Sequence, residues 1–178
     1  SMLVARLVNP QPGERVLDCC AAPGGKSMYM AALMDNTGSL MSCDIHEHKI
    51  TLMESNAQRL GISIVQTKVQ YATELPSAWK SYFDRVLVDV PCSGLGILQK
   101  KLDMRWRKDE STLSELPPLQ LAILERAAMT VKEKGYLVYS TCTLNYKENE
   151  DVVEAFLQKH KEFSIVPVGA DFPLKSNN

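Results

Sequence analysis

Two cysteines carry the most informative chemistry in this chain: Cys92, in Asp89-Val-Pro-Cys-Ser-Gly94, and Cys142, in Ser140-Thr-Cys-Thr143. Each stands just past a short apolar run, residues 85–90 and 136–139, of the kind that forms a buried strand of a parallel sheet. In open α/β sheets, ligands bind outside the carboxyl ends of the strands. Two soft nucleophiles would therefore meet over one crevice. A third run, residues 15–19, leads at the same edge into Cys20-Ala-Ala-Pro-Gly-Gly-Lys26. A glycine-rich turn with thiols beside it points to a bound cofactor and covalent chemistry on an electrophilic substrate carbon.

The elements that must position these residues alternate between strand and helix patterns, which predicts βαβ units and a parallel sheet. Residues 27–34, rich in Met and Ala, read as a helix ended by Asn36-Thr-Gly38. A strand over 39–43 ends at Asp44, a helix over 46–60 stops at Gly61, and a strand follows over 62–69. The next crossover, 72–82, contains Pro76 and room for about one helical turn. After the strand at 85–90 comes a long, mostly irregular stretch, 91–118, of a length that usually marks a functional loop. A helix over 119–134 capped by Gly135, a strand over 136–141 and a helix over 147–161 complete the pattern. Residues 163–168 are a candidate for one more strand. The expected fold is a Rossmann-like, doubly wound, mostly parallel sheet.

With 178 residues the chain suits one well-buried core rather than two. Its 45% hydrophobic and 23% charged content is that of an ordinary globular domain. No apolar run approaches the ~20 residues needed to cross a bilayer, so no membrane association is expected. The start, Ser1-Met-Leu-Val-Ala-Arg6, lacks a signal-peptide layout. Five cysteines without a C-x-x-C pair read as reduced thiols of a cytoplasmic protein. A net charge of −1 argues against a general polyanion binder. Lys100, Lys101, Arg105, Arg107 and Lys108 nevertheless crowd one stretch directly after the Cys92 loop. That island reads equally as a solvated loop or as a phosphate-contacting segment.

The glycine turn lacks G-x-G-x-x-G spacing, so it does not read as a pyrophosphate cradle. What remains is a tight turn at a helix start, where backbone can approach a ligand closely. Asp44 stands twenty residues beyond Gly24, at the tip of the second strand. There an acid accepts hydrogen bonds from ribose hydroxyls, and its alternative role is to cap the following helix. Adjacent Cys19 and Cys20 read as small buried residues. His46 and His48, two apart, do not share a helical face, and no metal site is expected.

At these positions the chain resembles the Sun (Fmu) family of RNA cytosine-C5 methyltransferases, most nearly its bacterial 16S ribosomal RNA branch. Val16-Leu-Asp-Cys-Cys-Ala-Ala-Pro-Gly-Gly-Lys-Ser27 is similar to the family's first motif. Cys43-Asp-Ile-His-Glu-His-Lys49, Asp89-Val-Pro-Cys-Ser-Gly-Leu-Gly96, Asp103-Met-Arg-Trp-Arg107 and Tyr139-Ser-Thr-Cys-Thr143 follow in the family's order. Asn149-Glu150 resembles the acid-rich start of its last helix.

The resemblance implies a class I methyltransferase fold with S-adenosylmethionine held by Cys20, Ala21, Ala22, Pro23, Gly24, Gly25, Lys26, Asp44 and Asp89. It implies a catalytic set of Cys142, Cys92, Asp89 and Lys26, in which Cys142 attacks the base and Cys92 assists release. RNA, most simply ribosomal RNA, becomes the expected partner, with Lys100, Lys101, Arg105 and Arg107 at its phosphates and Trp106 either stacked on a base or buried as an anchor. A monomer is expected. Residues 1–178 read as a single catalytic domain excised from a longer protein with an N-terminal RNA-binding domain. The closing strand pair at the C-terminus reads as truncated. One departure stands out: Gln70-Tyr71-Ala72 replaces the acid that usually holds the adenine amino group.

The implied chemistry accounts for the residue types. Carbon 5 of cytosine is a poor nucleophile, and a thiolate adding to carbon 6 turns the ring into an enamine able to take a methyl group. A free cysteine is only a few per cent thiolate at pH 7, so a depressed Cys142 pKa is expected from the sulfonium and nearby helix N-termini. Asp89 would hydrogen-bond ring N3 or the amino group as sulfur adds. Cys92 would serve as the base that takes the carbon-5 proton. Two readings compete: a DNA-type cytosine methyltransferase with Cys92 as attacker, which has no need of Cys142, and a non-catalytic S-adenosylmethionine-binding module.

Overall fold

The structure, a computed structural model, describes residues 2–94 and 110–167, with the side chains of 110–113 excepted. Five strands, β1 (Arg15–Asp18), β2 (Ser39–Asp44), β3 (Val65–Val69), β4 (Phe83–Asp89) and β5 (Val131–Ser140), lie in the order β3-β2-β1-β4-β5. Every neighbouring pair is parallel. From β1 the chain builds outward one way through β2 and β3, then returns to place β4 and β5 on the other side. The reversal falls between β1 and β4, where a doubly wound sheet opens its ligand crevice.

The helices are α1 (Met2–Val8), α2 (Gly25–Leu33), α3 (Glu47–Arg59), α4 (Glu110–Ala128) and α5 (Glu150–Lys159). Because strand side chains alternate between faces, Val16 and Leu17 serve opposite layers. Val16, Leu40 and Leu87 pack with Ala5 and Val8 of α1, with Met30 and Ala31 of α2, and with Met34 just past its end. On that layer α3 adds Ile50, Met53 and Ala57 against Met28 and Ala21. Leu17, Val86 and Val88 face Ile123, Leu124 and Ala127 of α4 and Val152 and Phe156 of α5. Each fully buried aliphatic side chain contributes roughly 1.5–3 kcal/mol.

Several boundaries differ from the sequence reading. Helix α4 begins at Glu110 and runs through Pro117 and Pro118, so 110–118 is helical rather than irregular. Each proline forgoes one intrahelical hydrogen bond, which is why the pair reads as a stop. The helix also ends early: Ala127 O accepts from both the backbone N–H (2.9 Å) and the hydroxyl (2.7 Å) of Thr130. Strand β5 then starts at Val131 instead of 136. Between Phe83↔Val131 and Arg85↔Tyr136 the register advances two residues on β4 and five on β5. Lys134, at φ 63°, and Gly135 thus close a bulge rather than cap a helix. A Cβ at Gly135 would meet Asp84 O at 2.9 Å.

The expected strand over 163–168 is absent from 163–167, and 168 lies outside the described residues. There Phe163 packs on Phe156 (5.4 Å between centroids), while Ile165 and Val166 stay exposed and pair with no strand. The 72–82 crossover holds two short 3-10 turns, Ala72–Glu74 and Ser77–Trp79. Trp79 is only half-buried, with its ring edge-on to Phe83 at 5.6 Å. Helix α1 had no sequence signal, its seven residues being too few to show a period.

Leu17, fully buried in the central strand, gives a direct measure of this core. Leu17→Ala should lower the free energy of unfolding by about 2–5 kcal/mol. Denaturant melts checking it should show a reduced midpoint with an unchanged slope.

Candidate active site

Strands β4 and β5 end level with each other. Asp89 pairs with Ser140, and Val90 N–H donates to Ser140 O at 3.1 Å, so the two loops leave the sheet together. This brings the cysteines into contact: Cys142 N–H donates to Cys92 Sγ at 3.1 Å. Cys142 is exposed and Cys92 half-buried. Burial, contact with the Cys92 thiol and the negative charge of Asp89 push the Cys142 pKa up to about 11. The expected depression is therefore not produced by the protein's own groups. They disfavour a thiolate on Cys142, chiefly because its sulfur is partly withdrawn from water, and then because Cys92 and Asp89 stand beside it.

Asp89 joins the thiols to the glycine turn. Its Oδ2 lies 2.5 Å from Lys26 Nζ and its Oδ1 accepts from Ser140 Oγ at 2.5 Å. Lys26 is the second residue of α2, so this ion pair spans the crevice between β1 and β4. The turn is tied to β2 by Ala21 N–H to Cys43 O at 2.7 Å and closed by Gly24 N–H to Ala21 O at 2.8 Å. Gly24 is left-handed, φ 96°, and a Cβ there would strike Met53 Cγ at 2.7 Å. A Cβ at Gly25 would meet nothing within 4 Å. The backbone at Gly25, the first residue of α2, thus borders open space.

Asp44, at the end of β2, sits at the same edge. Its Oδ1 accepts from His46 N–H at 3.0 Å and lies 3.8 Å from Lys49 Nζ, so it does support the entry to α3. The His46 and His48 rings stand 5.5 Å apart. Among the described residues no three His, Cys, Asp or Glu side chains gather as metal ligands. Cys19 and Cys43 are buried, and burial pushes both thiols up, Cys43 to about 12. Cys20 is half-buried and also pushed up by burial. Gln70 Nε2 donates to Glu74 O at 2.8 Å, and Tyr71 is exposed. Lys100, Lys101, Arg105, Trp106 and Arg107 lie outside the described residues.

Sequence reading missed Asp18. The last residue of β1, it is fully buried. Its Oδ2 accepts from Ser27 Oγ at 2.7 Å, and Ser42 Oγ donates to Ser27 Oγ at 2.9 Å. Its Oδ1 has no well-aligned partner among the described residues, although the Cys20 backbone N–H helps to steady the carboxyl. Burial raises its pKa to about 7, with Asp89 adding to the effect and Ser27 opposing it. An acid closing the buried run Arg15-Val-Leu-Asp18 was the available signal. An unpartnered buried oxygen, an open glycine cradle at a helix N-terminus and an acid at the tip of β2 together fit a charged nucleoside ligand such as S-adenosylmethionine.

Residues 5–178 match the family described as 16S rRNA methyltransferase RsmB/F. The chain belongs to that family. A Bacillus subtilis (strain 168) relative, named probable ribosomal RNA small subunit methyltransferase B, is 46% identical over 92% of this chain and 37% of its own length. Human 28S rRNA (cytosine(4447)-C(5))-methyltransferase is 39% identical over 97% of this chain and 21% of its own. Among solved structures, that of NSun6 from Pyrococcus horikoshii with SFG, an S-adenosylmethionine analogue, superposes with a TM-score of 0.81. It is 32% identical and covers 89% of this chain and 40% of that one. The chain thus spans well under half the length of these family relatives.

Asp18 makes a pH signature testable. Its folded pKa of about 7 lies above the ordinary aspartate value of 3.8, so between those values the folded state binds more protons than the unfolded state. Stability from this group is fully present below about pH 4, is lost as pH rises toward 7, and is level above that. Asp18→Asn should flatten this slope in denaturation midpoints measured across the range. A variant that parallels the parent at every pH would remove Asp18 as its source.

Proposed function

We propose that this chain is the cofactor-binding and catalytic part of a longer S-adenosylmethionine-dependent RNA cytosine-C5 methyltransferase acting on ribosomal RNA. Cys142 is the nucleophile and Cys92 assists release. The observation that carries the reading is the contact of Cys142 with the Cys92 sulfur beside Asp89, itself ion-paired to Lys26 of the glycine turn. The names of the family relatives supply the substrate class.

S-adenosylmethionine supplies a methyl group on a positively charged sulfur, a charge that opposes the upward push on Cys142. Gly24, Gly25 and the α2 N-terminus let backbone approach the ligand, and Asp44 accepts from its ribose hydroxyls. The target cytosine must be unpaired or turned out, because side chains cannot read an A-form major groove. Cys142, the exposed thiol, loses its proton to solvent, and the resulting thiolate adds to carbon 6. Asp89, oriented by Lys26 and Ser140, holds ring N3 or the amino group as charge develops. After methylation Cys92 accepts the carbon-5 proton. The C–H electron pair restores the 5,6 double bond, and the bond to Cys142 sulfur breaks.

The two thiols should fail at opposite ends of this sequence. Cys142→Ala should neither methylate ribosomal RNA nor trap it. Cys92→Ala should add to the base and methylate it, leaving RNA covalently attached on a denaturing gel. Trapping by Cys142→Ala and none by Cys92→Ala would reverse the assignment.

Ribose binding is tested separately. Asp44→Ala should weaken S-adenosylmethionine binding by about 1–3 kcal/mol through lost charge-assisted hydrogen bonds. Calorimetry giving equal affinities would confine Asp44 to its contact with His46.

A further inference from the structure

Glu148, which the sequence reading passed over, is fully buried. Its Oε2 accepts from Ser93 N–H at 2.8 Å and from Gln120 Nε2 at 3.0 Å, and its Oε1 accepts from Asn145 Nδ2 at 3.0 Å. The Ser93 hydroxyl also supports the carboxylate, and all of these donors are neutral. Burial pushes the carboxyl up, but the donors outweigh it and hold the group below the usual carboxylate range. A buried anion held only by neutral donors persists where their geometry is satisfied and is costly otherwise.

The donors are placed tellingly. Ser93 adjoins Cys92, and Gln120 also donates to Pro91 O at 2.9 Å, so the Cys92 loop is held on both sides of its thiol. The other loop is held likewise. Ser93 Oγ and Thr143 Oγ1 bond at 2.9 Å, and Asn145 N–H donates to Thr143 Oγ1 at 3.2 Å. Asn149, next to Glu148, accepts from Thr141 Oγ1 at 2.6 Å and donates to Thr143 O at 3.1 Å. The backbone of Glu148 accepts from Tyr139 OH at 2.7 Å, anchoring it to β5. One carboxylate thus ties together the loops on which the two thiols ride.

We infer that Glu148 is the positioning residue that fixes the separation of Cys92 and Cys142, an inference that rests on the two-thiol reading above. In Glu148→Gln an amide must either turn its N–H groups toward Ser93 N–H and Gln120 or give up Asn145. Donor faces donor, and the loops part.

The test follows the thiols directly. The titratable and charged groups around Cys142 are Cys92 and Asp89, the latter paired to Lys26. Parting the loops relieves the Cys92 contribution, so Cys142 in Glu148→Gln should be alkylated by iodoacetamide at lower pH than in the parent. Each unit by which its apparent pKa falls raises the thiolate fraction about tenfold. Residue-resolved mass spectrometry of the full chain reads the profile, and a thermal melt runs alongside it. A lowered melting temperature with an unmoved profile would make Glu148 a packing residue only and overturn the inference. Should Glu148→Gln not fold, Gln120→Met keeps side-chain volume while removing one donor to Glu148 and one to Pro91. It also removes the partnerless Gln120 Oε1. A shifted profile in that variant supports the inference and an unshifted one overturns it. Alkylation requires neither RNA nor methyl transfer. A shifted profile in a protein that never methylates RNA would therefore count against the proposed function while leaving the positioning role standing. In an active protein, Glu148→Gln should also accumulate the covalent RNA adduct, as slowed release requires.

Discussion

Strand β1 pairs in parallel with β2 on one side and with β4 on the other, and the connections on the two sides run to opposite faces of the sheet. Parallel pairing obliges β1, β2, β4 and β5 to finish at one edge, and the reversal leaves no helix over the gap between β1 and β4. The glycine turn, Asp44, Asp89 and both thiol loops owe their proximity to that constraint. Helix α2 starts at one lip of the gap and carries Lys26 across it to Asp89. Sequence-distant groups become neighbours because the sheet permits only one place for them to emerge.

Building a site at such a gap has a cost in polar groups taken out of water. Among the described residues, Asp18 closes β1 with one oxygen unpartnered, Gln120 has an orphaned Oε1, and Glu148 is an anion without a contacting cation. A sheet end designed for stability alone would place aliphatic residues there. The five cysteines divide along the same line. Cys19, Cys20 and Cys43 turn inward and behave as small apolar groups, and only Cys92 and Cys142 meet over the opening.

The strand tips and the turn were legible in the sequence because each rests on a local signal: an apolar run, then a loop residue with chemistry. Boundaries were lost where one local signal has two meanings. Pro117-Pro118 reads as a helix stop yet lies within α4, and Lys134-Gly135 reads as a helix cap yet shapes the bulge in β5. Asp18 and Glu148 were illegible for a different reason. Their roles arise from contacts that no spacing encodes: Glu148 meets Ser93 fifty-five positions away, and the Asp18 carboxyl is perturbed by burial in a core assembled from the whole chain. The basic island at 100–108 keeps both of its sequence readings, since it lies outside the described residues.

An exposed sulfur is ordinarily a liability, because thiolates are what oxidants consume on the way to sulfinic and sulfonic acids. Partial burial, together with the second thiol and the acid beside Cys142, keeps its proton in place at neutral pH. On the proposed reading, the same neighbours that serve turnover would act as a preservative between turnovers. Under the proposed function, reactivity would be released when positive charge enters the crevice, so the lifetime of the Cys142 thiol and its strength would be governed by one local field rather than traded against each other.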